Sequence, residues 1–354
     1  MNQIKTKKEE TLTPLPKFVK AIKTKRIAKS GLILECIDEM RQEIEKFAKE
    51  LGFDLVGFTP AKISVKYADA FTKWLEKGKE ADMEYMKKKE ARQNLRSILP
   101  DAKTVIVLGV NYYREQKPLK SGHGRIARYA YGRDYHKTIG KKLKKLENYI
   151  REVHKGKTKA YVDTGPLLEK ALAEQAGIGR IGKNSCLITK DFGSWTFLSE
   201  IITDLDISNK SEKQEIFNMC GNCKLCMEAC PTGAIEEPGV INCNRCISYL
   251  TIENKEGIPS KFVSAISKAK TLYGCDICQE VCPHNKARQR VSNQPDFQKP
   301  IAGDSINLEK VKSIKTDEQF LKIFAGSPLM RAKRKGLQRN AETIAPNKKT
   351  KSKP

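Results

Sequence analysis

Nine of the eleven cysteines in this chain of 354 residues lie between Cys220 and Cys282. The first group reads CGNCKLCMEACPTGAI from Cys220, with the spacing CxxCxxCxxxCP, and the second reads YGCDICQEVCPHN. A tight CxxCxxC loop can place three thiolates on three corners of one cubic 4Fe–4S cluster. The spacing therefore predicts electron-transfer chemistry.

The eight ligands can be assigned by the rule for two-cluster ferredoxins, in which the cysteine before proline ligates the other cluster. One predicted cluster takes Cys220, Cys223, Cys226 and Cys282; the other takes Cys230, Cys275, Cys278 and an intervening cysteine, Cys246 or Cys243. Zinc is the alternative, because CxxC pairs are common zinc ligands. Tetrahedral zinc sites, however, use paired cysteines and not a triple that ends in Cys-Pro.

The net charge of +25 is the second signal. A surface this positive attracts polyanions and gains affinity by releasing their counterions, so a polynucleotide is the leading partner. A solvated lysine-rich surface is the alternative, and charge alone leaves it open. The cysteine-rich composition, the lack of a long apolar run and the charged amino terminus predict a cytoplasmic protein without a membrane span.

The elements that must position this chemistry alternate between helix and strand. An amphipathic helix in MRQEIEKFAKELGF precedes a strand in DLVGFTPA, and KTVIVLGVNYY, at 103–113, reads as a buried strand ended by Asn111. This mixture predicts an α+β or α/β domain. The predicted segments are a basic extension, a first domain, a two-cluster domain, and a basic helical segment with a lysine tail, at residues 1–40, 41–205, 206–295 and 296–354.

Several segments carry a resemblance that spacing alone does not supply. They read GRIARYAYGRDYHKTIGKKL, YVDTGPLLEKALAEQAGIGRIGKNSCLI and GSWTFLSEIITDLDI, followed by the paired cluster motifs. In this order they resemble the epoxyqueuosine reductases, over about residues 41–340. The resemblance implies an α+β fold, with a nitroreductase-like cobalamin-binding catalytic domain before a bacterial ferredoxin-like domain with two 4Fe–4S clusters. It also selects Cys246 as the intervening ligand and leaves Cys243 free.

The resemblance also implies an activity. Such enzymes bind base-off cobalamin, receive electrons through two 4Fe–4S clusters, and reduce epoxyqueuosine at the tRNA wobble position to queuosine. The net change is a two-electron, two-proton deoxygenation that releases water. The implied partners are the tRNA and an external low-potential donor of ferredoxin or flavodoxin type, and the implied state is a monomer.

Asp163 is the candidate proton donor. Opening an epoxide leaves an alkoxide, and a nearby carboxylic acid with a raised pKa lowers the barrier. Asp163 ends the strand KAYVD, where sites of α/β proteins collect, and the matching aspartate of the family is the proposed donor. The alternative is that Asp163 or Thr164 caps a helix beginning near Pro166.

Further contacts are implied around this aspartate. We expect cobalamin to contact Asp163, Lys183, Asn184 and Ser248, where the glycines of GIGRIGKNS bend the backbone. That run follows a helix and lacks the strand-to-helix context of a dinucleotide site. The substrate or corrin side is expected to include Asp134, Tyr135 and His136, with a helix-capping role for His136 as the alternative. Their spacing misses the cobalt-ligand signature DxHxxG by one residue, so it gives no evidence that His136 binds cobalt.

The closing helix carries the residues predicted to contact tRNA phosphates, Arg331, Lys333, Arg334, Lys335 and Arg339. Such contacts position an RNA, whereas the wobble base must be splayed into a pocket. A solvated helix face is the alternative.

Two rival functions explain the sequence less well. A reductive dehalogenase-like enzyme would carry a twin-arginine signal and have no use for a charge of +25. A non-catalytic electron carrier with an RNA-binding tail leaves the resemblance of the first domain unexplained.

Overall fold

The computed structural model describes residues 30–208 and 219–345. Its strands are β1 Leu55–Pro60, β2 Thr104–Asn111, β3 His123–Ile126, β4 Thr158–Tyr161, β5 Gly179–Ile181, β6 Leu187–Thr189, β7 Thr196–Thr203, β8 Ile235–Glu237, β9 Val240–Ile241, β10 Thr271–Tyr273 and β11 Ser305–Asn307. Its α-helices are α1 Ser30–Glu50, α2 Val65–Glu76, α3 Lys89–Gln93, α4 Tyr135–Val153, α5 Glu169–Gln175, α6 Leu225–Glu228, α7 Ile247–Ile252, α8 Ser260–Ala269, α9 Ile277–Glu280, α10 Pro283–Lys286, α11 Pro295–Gln298, α12 Leu308–Lys312, α13 Asp317–Phe324 and α14 Lys333–Ile344. None of these helices is long and apolar enough to cross a membrane.

A four-stranded antiparallel sheet, in the order β1-β2-β7-β4, organises the first part of the chain. Every residue of β2 is buried, which explains its nearly continuous apolar sequence. The strand ends at Asn111, as predicted, because the Asn111 N–H donates to Asp54 Oδ2 at 2.7 Å and its side-chain amide donates to the Arg290 carbonyl at 2.8 Å. The antiparallel pairing places the chain in the α+β class.

Alternate residues of β2 enter two hydrophobic cores, as the period of a strand requires. Ile106 and Leu108 pack with residues of α1 and α4 on one face. Val105 and Val107 pack with residues of α5 on the other. Both faces of the sheet are thus covered. Because α4 packs on the sheet that contains β4, the start of α4 and the end of β4 are held in fixed relative positions.

A second sheet joins strands from distant parts of the chain. β3 pairs in parallel with β10 and antiparallel with β11. Ile126, Leu272, Ile306 and Leu337 share one core beneath this sheet. The first predicted domain is therefore tied to both later segments by backbone hydrogen bonds.

The predicted amino-terminal extension is wrong for residues 30–40. α1 begins at Ser30, and the side chains of Ile37 and Met40 pack against the same core as Ile106. The helix begins ten residues before MRQEIEKFAKELGF, the segment from which it was predicted. The rest of the predicted extension, residues 1–29, and the lysine tail at 346–354 lie outside the described residues.

Candidate functional site

Asp163 lies in the turn between β4 and α5. Its φ of +55° is in the left-handed region, where residues other than glycine are uncommon. The helix begins only at Glu169, and its N-cap position is Leu168, which makes no side-chain capping bond. The alternative in which Asp163 or Thr164 caps a helix near Pro166 is therefore wrong, and the side chain of Asp163 is available for other contacts.

The structure brings Asp134, Tyr135 and His136 together with Asp163. The Tyr135 hydroxyl donates to Asp163 Oδ2 at 2.5 Å. His136 Nε2 lies 3.3 Å from the same oxygen, and His136 Nδ1 lies 2.7 Å from Asp134 Oδ1. Asp134 caps α4, because its carboxylate also accepts the backbone N–H of His136 at 3.0 Å. His136 thus bridges two carboxylates and does not cap the helix.

The proton in this group resides on the imidazole. Burial would lower the pKa of His136, but its contacts with Asp134 and Asp163 outweigh burial and raise the pKa to about 9. Burial would likewise raise the pKa of Asp163, but hydrogen bonds from His136 and Tyr135 lower it overall. The raised pKa expected for Asp163 is therefore wrong. At neutral pH the pair is an imidazolium beside a carboxylate.

Aromatic stacking holds the ring of Tyr135 in place. It stacks on Phe197 of β7, with centroids 4.1 Å apart and planes 9° apart, and on the His136 ring at 4.1 Å. Burial, followed by the charge of Asp163, raises the pKa of Tyr135. The hydroxyl therefore stays protonated and serves as a donor to Asp163.

Asp163 faces solvent on its other side. Its side chain is 54% exposed, and that of Arg331 is 55% exposed. Tyr85 is also exposed, and its hydroxyl lies within electrostatic range of Asp163, Arg331 and Cys243. We call the exposed side of Tyr85, Asp163 and Arg331 the open face. The open face extends from Asp163 toward the segment that contains Cys243 and Cys246.

The cysteines of the first predicted set surround one cavity of about 40 Å³, which is lined by Cys220, Cys223, Cys226 and Cys282. Burial and the nearby thiols of Cys220, Cys282 and Cys223 raise the pKa of Cys226. Among the residues described, no three His, Cys, Asp or Glu side chains are placed as ligands of a single metal ion. The four thiols are arranged around a volume, as a cluster requires.

The second predicted set is also brought together. Burial, with Cys246 and Cys230 nearby, raises the pKa of Cys275 to about 12. Cys278 has Cys186, Cys275 and Cys246 as neighbours. Cys243 has Cys246, Lys170 and Glu80 as neighbours. The choice of Cys246 over Cys243 stays a prediction, which the nearness of Cys246 to Cys230, Cys275 and Cys278 supports. The contact of Cys186 with Cys278 was missed, since no spacing rule includes a cysteine so far upstream.

Three residues predicted to contact cobalamin lie on the cluster loops. Lys183 Nζ donates to the carbonyls of Gly221 and Cys223 at 2.6 and 2.9 Å. The Asn184 amide donates to the Cys278 carbonyl at 3.3 Å. Ser248 follows Cys246 by two residues, in the first turn of α7. Contacts of these side chains with cobalamin stay a prediction.

The predicted tRNA-binding residues divide into two groups. Arg331 forms two hydrogen bonds with Glu253, at 2.9 and 2.7 Å, and Arg334 donates to Asp317 at 2.7 Å. Arg339 donates to backbone carbonyls, including that of Leu250 at 2.9 Å. By contrast, Lys333 and Lys335 are exposed. Internal contacts thus occupy the arginines, and the two lysines face solvent.

A buried carboxyl group was also missed. Glu200 of β7 is fully buried, and its two carboxyl oxygens have no hydrogen-bonding partner among the described residues. Burial, with Glu169 and Asp163 nearby, raises its pKa well above the usual value for glutamate. A single glutamate in a strand pattern gives no sign that both faces of the strand are covered.

Comparisons with known proteins agree with this arrangement. Residues 92–164 match the family model described as "Epoxyqueuosine reductase QueG, DUF1730", and residues 219–285 match the "4Fe-4S double cluster binding domain". An epoxyqueuosine reductase of Synechocystis sp. is 42% identical over 279 residues, which cover 78% of this chain and 94% of the relative. One of Cyclobacterium marinum is 39% identical over 324 residues, covering 88% and 98%.

Solved structures give the same result. A crystal structure of epoxyqueuosine reductase with an epoxyqueuosine-modified tRNA-Tyr stem loop is 32% identical and superimposes with a TM-score of 0.78, covering 87% of this chain and 81% of that one. A Bacillus subtilis epoxyqueuosine reductase, in which a catalytic loop that contains an aspartate is swung out of the active site, is 31% identical with a TM-score of 0.77 over the same shares.

The charge state of His136 is directly measurable, because the chain has only four histidines. In NMR titrations of histidine-labelled protein, we expect His136 to stay protonated through neutral pH and to lose its proton near pH 9. Asp163→Asn removes one carboxylate and should lower the pKa of His136 by about one unit or more. His154 is the internal control, since burial lowers its pKa. A wild-type His136 that titrates near pH 6.5 would contradict the assignment.

Proposed function

Because this chain belongs to the epoxyqueuosine reductase family and reduces epoxyqueuosine in tRNA, we propose that one of the two protons consumed, the one taken up as the epoxide opens, comes from the Asp163–His136 pair. The observation that carries the proposal is the position of His136. Its imidazolium contacts the Asp163 carboxylate from behind, while that carboxylate is exposed at the open face. The pair can therefore deliver a proton outward without Asp163 being protonated at rest.

Proton delivery would begin when substrate and cofactor cover the open face. Substrate and cofactor would remove water from the Asp163 carboxylate, and desolvation raises the pKa of a carboxyl group. The proton on His136 Nε2 can then move across 3.3 Å to Asp163 Oδ2. As a C–O bond of the epoxide breaks, negative charge develops on the oxygen, and Asp163 donates the proton to it. Asp134 holds the other nitrogen of the ring throughout.

The overall reaction consumes two electrons and two protons, releases the epoxide oxygen as water and leaves an alkene. Bound cobalamin would supply the reducing chemistry at the substrate carbon. The open face fits such a group, because it is exposed and lies beside the segment of Cys246. Both nitrogens of His136 face carboxylates, so this histidine is not available as a cobalt ligand, which suits the base-off form.

The chain has a double 4Fe–4S cluster domain, and we assign its ligands in the crossed arrangement. The cavity lined by Cys220, Cys223, Cys226 and Cys282 supports the first set. The proximity of Cys230, Cys246, Cys275 and Cys278 supports the second. The electrons would come from an external low-potential donor of ferredoxin or flavodoxin type.

The open face is the proposed site of the flipped wobble nucleotide, with tRNA phosphates bound around it. Of the basic residues, Lys333 and Lys335 are the best candidates for phosphate contacts, because internal partners occupy Arg334 and Arg339. Arg331 belongs to the open face itself. We also propose that the enzyme is a cytoplasmic monomer, with a nitroreductase-like catalytic domain over residues 41–205.

The Asp163–His136 pair can be tested in the complete reaction. The protein is loaded anaerobically with iron, sulfide and cobalamin, reduced, and given tRNA containing epoxyqueuosine; the nucleosides are then weighed. We expect the loss of one oxygen, with Asp163→Asn and His136→Asn slowing a single turnover roughly 10²- to 10⁴-fold. His123→Gln, which changes a partly exposed histidine whose ring bonds the Ser121 carbonyl and not this pair, is the control.

The pH dependence follows from the raised pKa of His136. The wild-type rate should fall as pH rises through about 9, where the imidazolium is lost, and His136→Asn should lack this decline. A His136→Asn variant with the wild-type rate would exclude the imidazolium as the proton source. An unchanged nucleoside with cofactors intact would instead exclude the tRNA substrate.

The crossed ligand assignment predicts iron contents of paired variants. Cys226→Ala with Cys282→Ala removes two ligands of one cluster and should leave about four irons of eight. Cys226→Ala with Cys230→Ala disrupts both clusters and should leave almost none. Cys243→Ser is the control that keeps the full content. The reverse order of the two paired variants would indicate uncrossed ligands.

The tRNA contacts can be tested by salt dependence. Lys333→Ala and Lys335→Ala should each weaken tRNA binding and reduce the slope of log Kd against log salt by about one. Lys144→Ala, at an exposed position on α4, is the matched control. If the double lysine variant binds with the wild-type affinity and slope, these side chains do not contact tRNA.

A further inference from the structure

The electrons for the proposed reduction have to enter the chain from a partner. The glycine run GIGRIGKNS resembles a dinucleotide motif, but it forms β5 and the turn toward β6. It therefore lacks the helix whose N-terminus would bind the pyrophosphate of a nicotinamide cofactor. A 4Fe–4S cluster accepts one electron at a time. A one-electron carrier protein suits this chain, and it must dock where a cluster comes close to the surface.

The second predicted set of cysteines is covered by the first domain and by the core of α7 and α8. The Cys243 N–H donates to the Lys79 carbonyl at 2.8 Å, and the Arg128 N–H donates to Asp276 at 2.7 Å. Cys275, the neighbour of Asp276, packs against the core of α7 and α8. This set offers a partner little surface.

The first predicted set reaches the surface through its own loops. Leu225 lies between Cys223 and Cys226 and lines the cavity of this set, yet it is 46% exposed. Pro283, which follows Cys282, lines the same cavity and is also exposed. We call Leu225 and Pro283 the apolar edge. A partner that buries this edge would come close to the cluster of the first set.

Basic side chains lie next to the apolar edge. Lys224 directly precedes Leu225, and Lys286 lies in α10, the helix that begins at Pro283. Both lysines are exposed, and neither forms an ion pair with another described residue. Unlike Arg334 and Arg339, these two cations are available to a partner.

A third lysine is brought to the same side by Arg288. The Arg288 guanidinium donates to the carbonyl of His284, which lines the cavity, at 3.2 Å and to the carbonyl of Lys190 at 2.5 Å. Lys190 is exposed. The three segments that line the cavity, 183–191, 219–228 and 282–290, hold six lysines and arginines and only two acidic residues, Asp191 and Glu228. The surroundings of the apolar edge are therefore positively charged.

We propose that the apolar edge, with Lys224, Lys286 and Lys190 around it, is the docking surface of an acidic one-electron carrier protein that reduces the cluster of the first set. The inference rests on the proposed external donor and on the crossed ligand assignment. With a flavodoxin as the carrier, each encounter transfers one electron: the flavin hydroquinone becomes the semiquinone, and the cluster gains that electron. Two encounters supply the two electrons that the reaction consumes.

An RNA backbone would also be attracted by these lysines. Phosphate contacts are polar and do not need an apolar centre. Protein interfaces, by contrast, combine an apolar core with a polar, solvent-accessible rim, which is the arrangement around Leu225 and Pro283. The surface therefore fits a protein better than it fits tRNA.

The test follows electron transfer itself, without cobalamin or tRNA. Cluster-loaded protein is mixed anaerobically with reduced flavodoxin, and bleaching of the cluster absorbance is recorded by stopped flow. Lys224→Glu should slow the reduction roughly 10-fold at low salt and weaken its dependence on salt. Leu225→Asp should slow it roughly 10- to 100-fold. With dithionite, a small reductant that needs no docking surface, both variants should react at the wild-type rate and contain the wild-type amount of iron.

Leu321 and Lys322 of α13 provide matched controls. They are an exposed Leu–Lys pair on an element without cysteines, and Leu321 is 46% exposed, as Leu225 is. Leu321→Asp and Lys322→Glu should leave the rate with flavodoxin unchanged. If Leu225→Asp loses iron, the double variant of Lys224→Glu and Lys286→Glu replaces it, because neither lysine lines the cavity.

The outcomes separate this inference from the proposed function. A wild-type rate with flavodoxin in the double lysine variant would overturn the docking surface, even if the enzyme reduces epoxyqueuosine. A wild type that dithionite reduces and flavodoxin does not would overturn it as well. Slower reduction by flavodoxin in a protein that leaves epoxyqueuosine unchanged would support the docking surface and overturn the function. If the lysine changes weaken tRNA binding and not reduction by flavodoxin, the surface binds RNA and the inference is wrong.

Discussion

The two ionic contacts that His136 makes, with Asp134 and with Asp163, are the interactions on which the rest of the site depends. Asp134 is fixed because it caps α4, and His136 follows it within the first turn of that helix. Asp163 comes from the end of β4, so the contact ties a helix terminus to a sheet edge. Each group sets the charge of the other: the carboxylates keep the imidazole protonated, and the imidazolium keeps Asp163 ionised. The site therefore holds a proton beside the open face while presenting a carboxylate to it.

The cluster domain packs directly against the first domain and is not a separate electron carrier joined by a linker. Lys183 and Asn184, which precede β6, bind carbonyls of both cluster loops. The Arg128 backbone donates to Asp276, between two cluster cysteines, at 2.7 Å, and the Arg128 guanidinium lies 4.8 Å from the Trp195 ring. These contacts are short, partly buried and spread over several elements. They fix the distance between the cysteines and Asp163, which electron transfer to one substrate position requires.

The sequence could predict the features that depend on neighbouring residues, but not those that depend on contacts between distant parts of the chain. The buried strand β2 and the helix α4 could be predicted because their periods are local, and the cluster motifs because their ligands are set by loop spacing. The charge of Asp163 could not, since it results from a histidine brought near by the fold. The start of α5 was placed too early, because Pro166 favours a first helical turn, whereas the chain makes an irregular turn up to Glu169.

The basic residues show why composition alone does not identify a binding surface. Arg334 and Arg339 stand in a run that reads as a phosphate-binding patch, yet they bind an aspartate and backbone carbonyls. A guanidinium with five donors suits such bridging, whereas a lysine ammonium, a compact and strongly hydrated charge, is left facing solvent. Part of the charge of +25 therefore stabilises the C-terminal helix against the cluster domain. We therefore expect the surface that remains for RNA to be smaller than the sequence suggests and to centre on Lys333 and Lys335, which follow Arg331 of the open face in the chain.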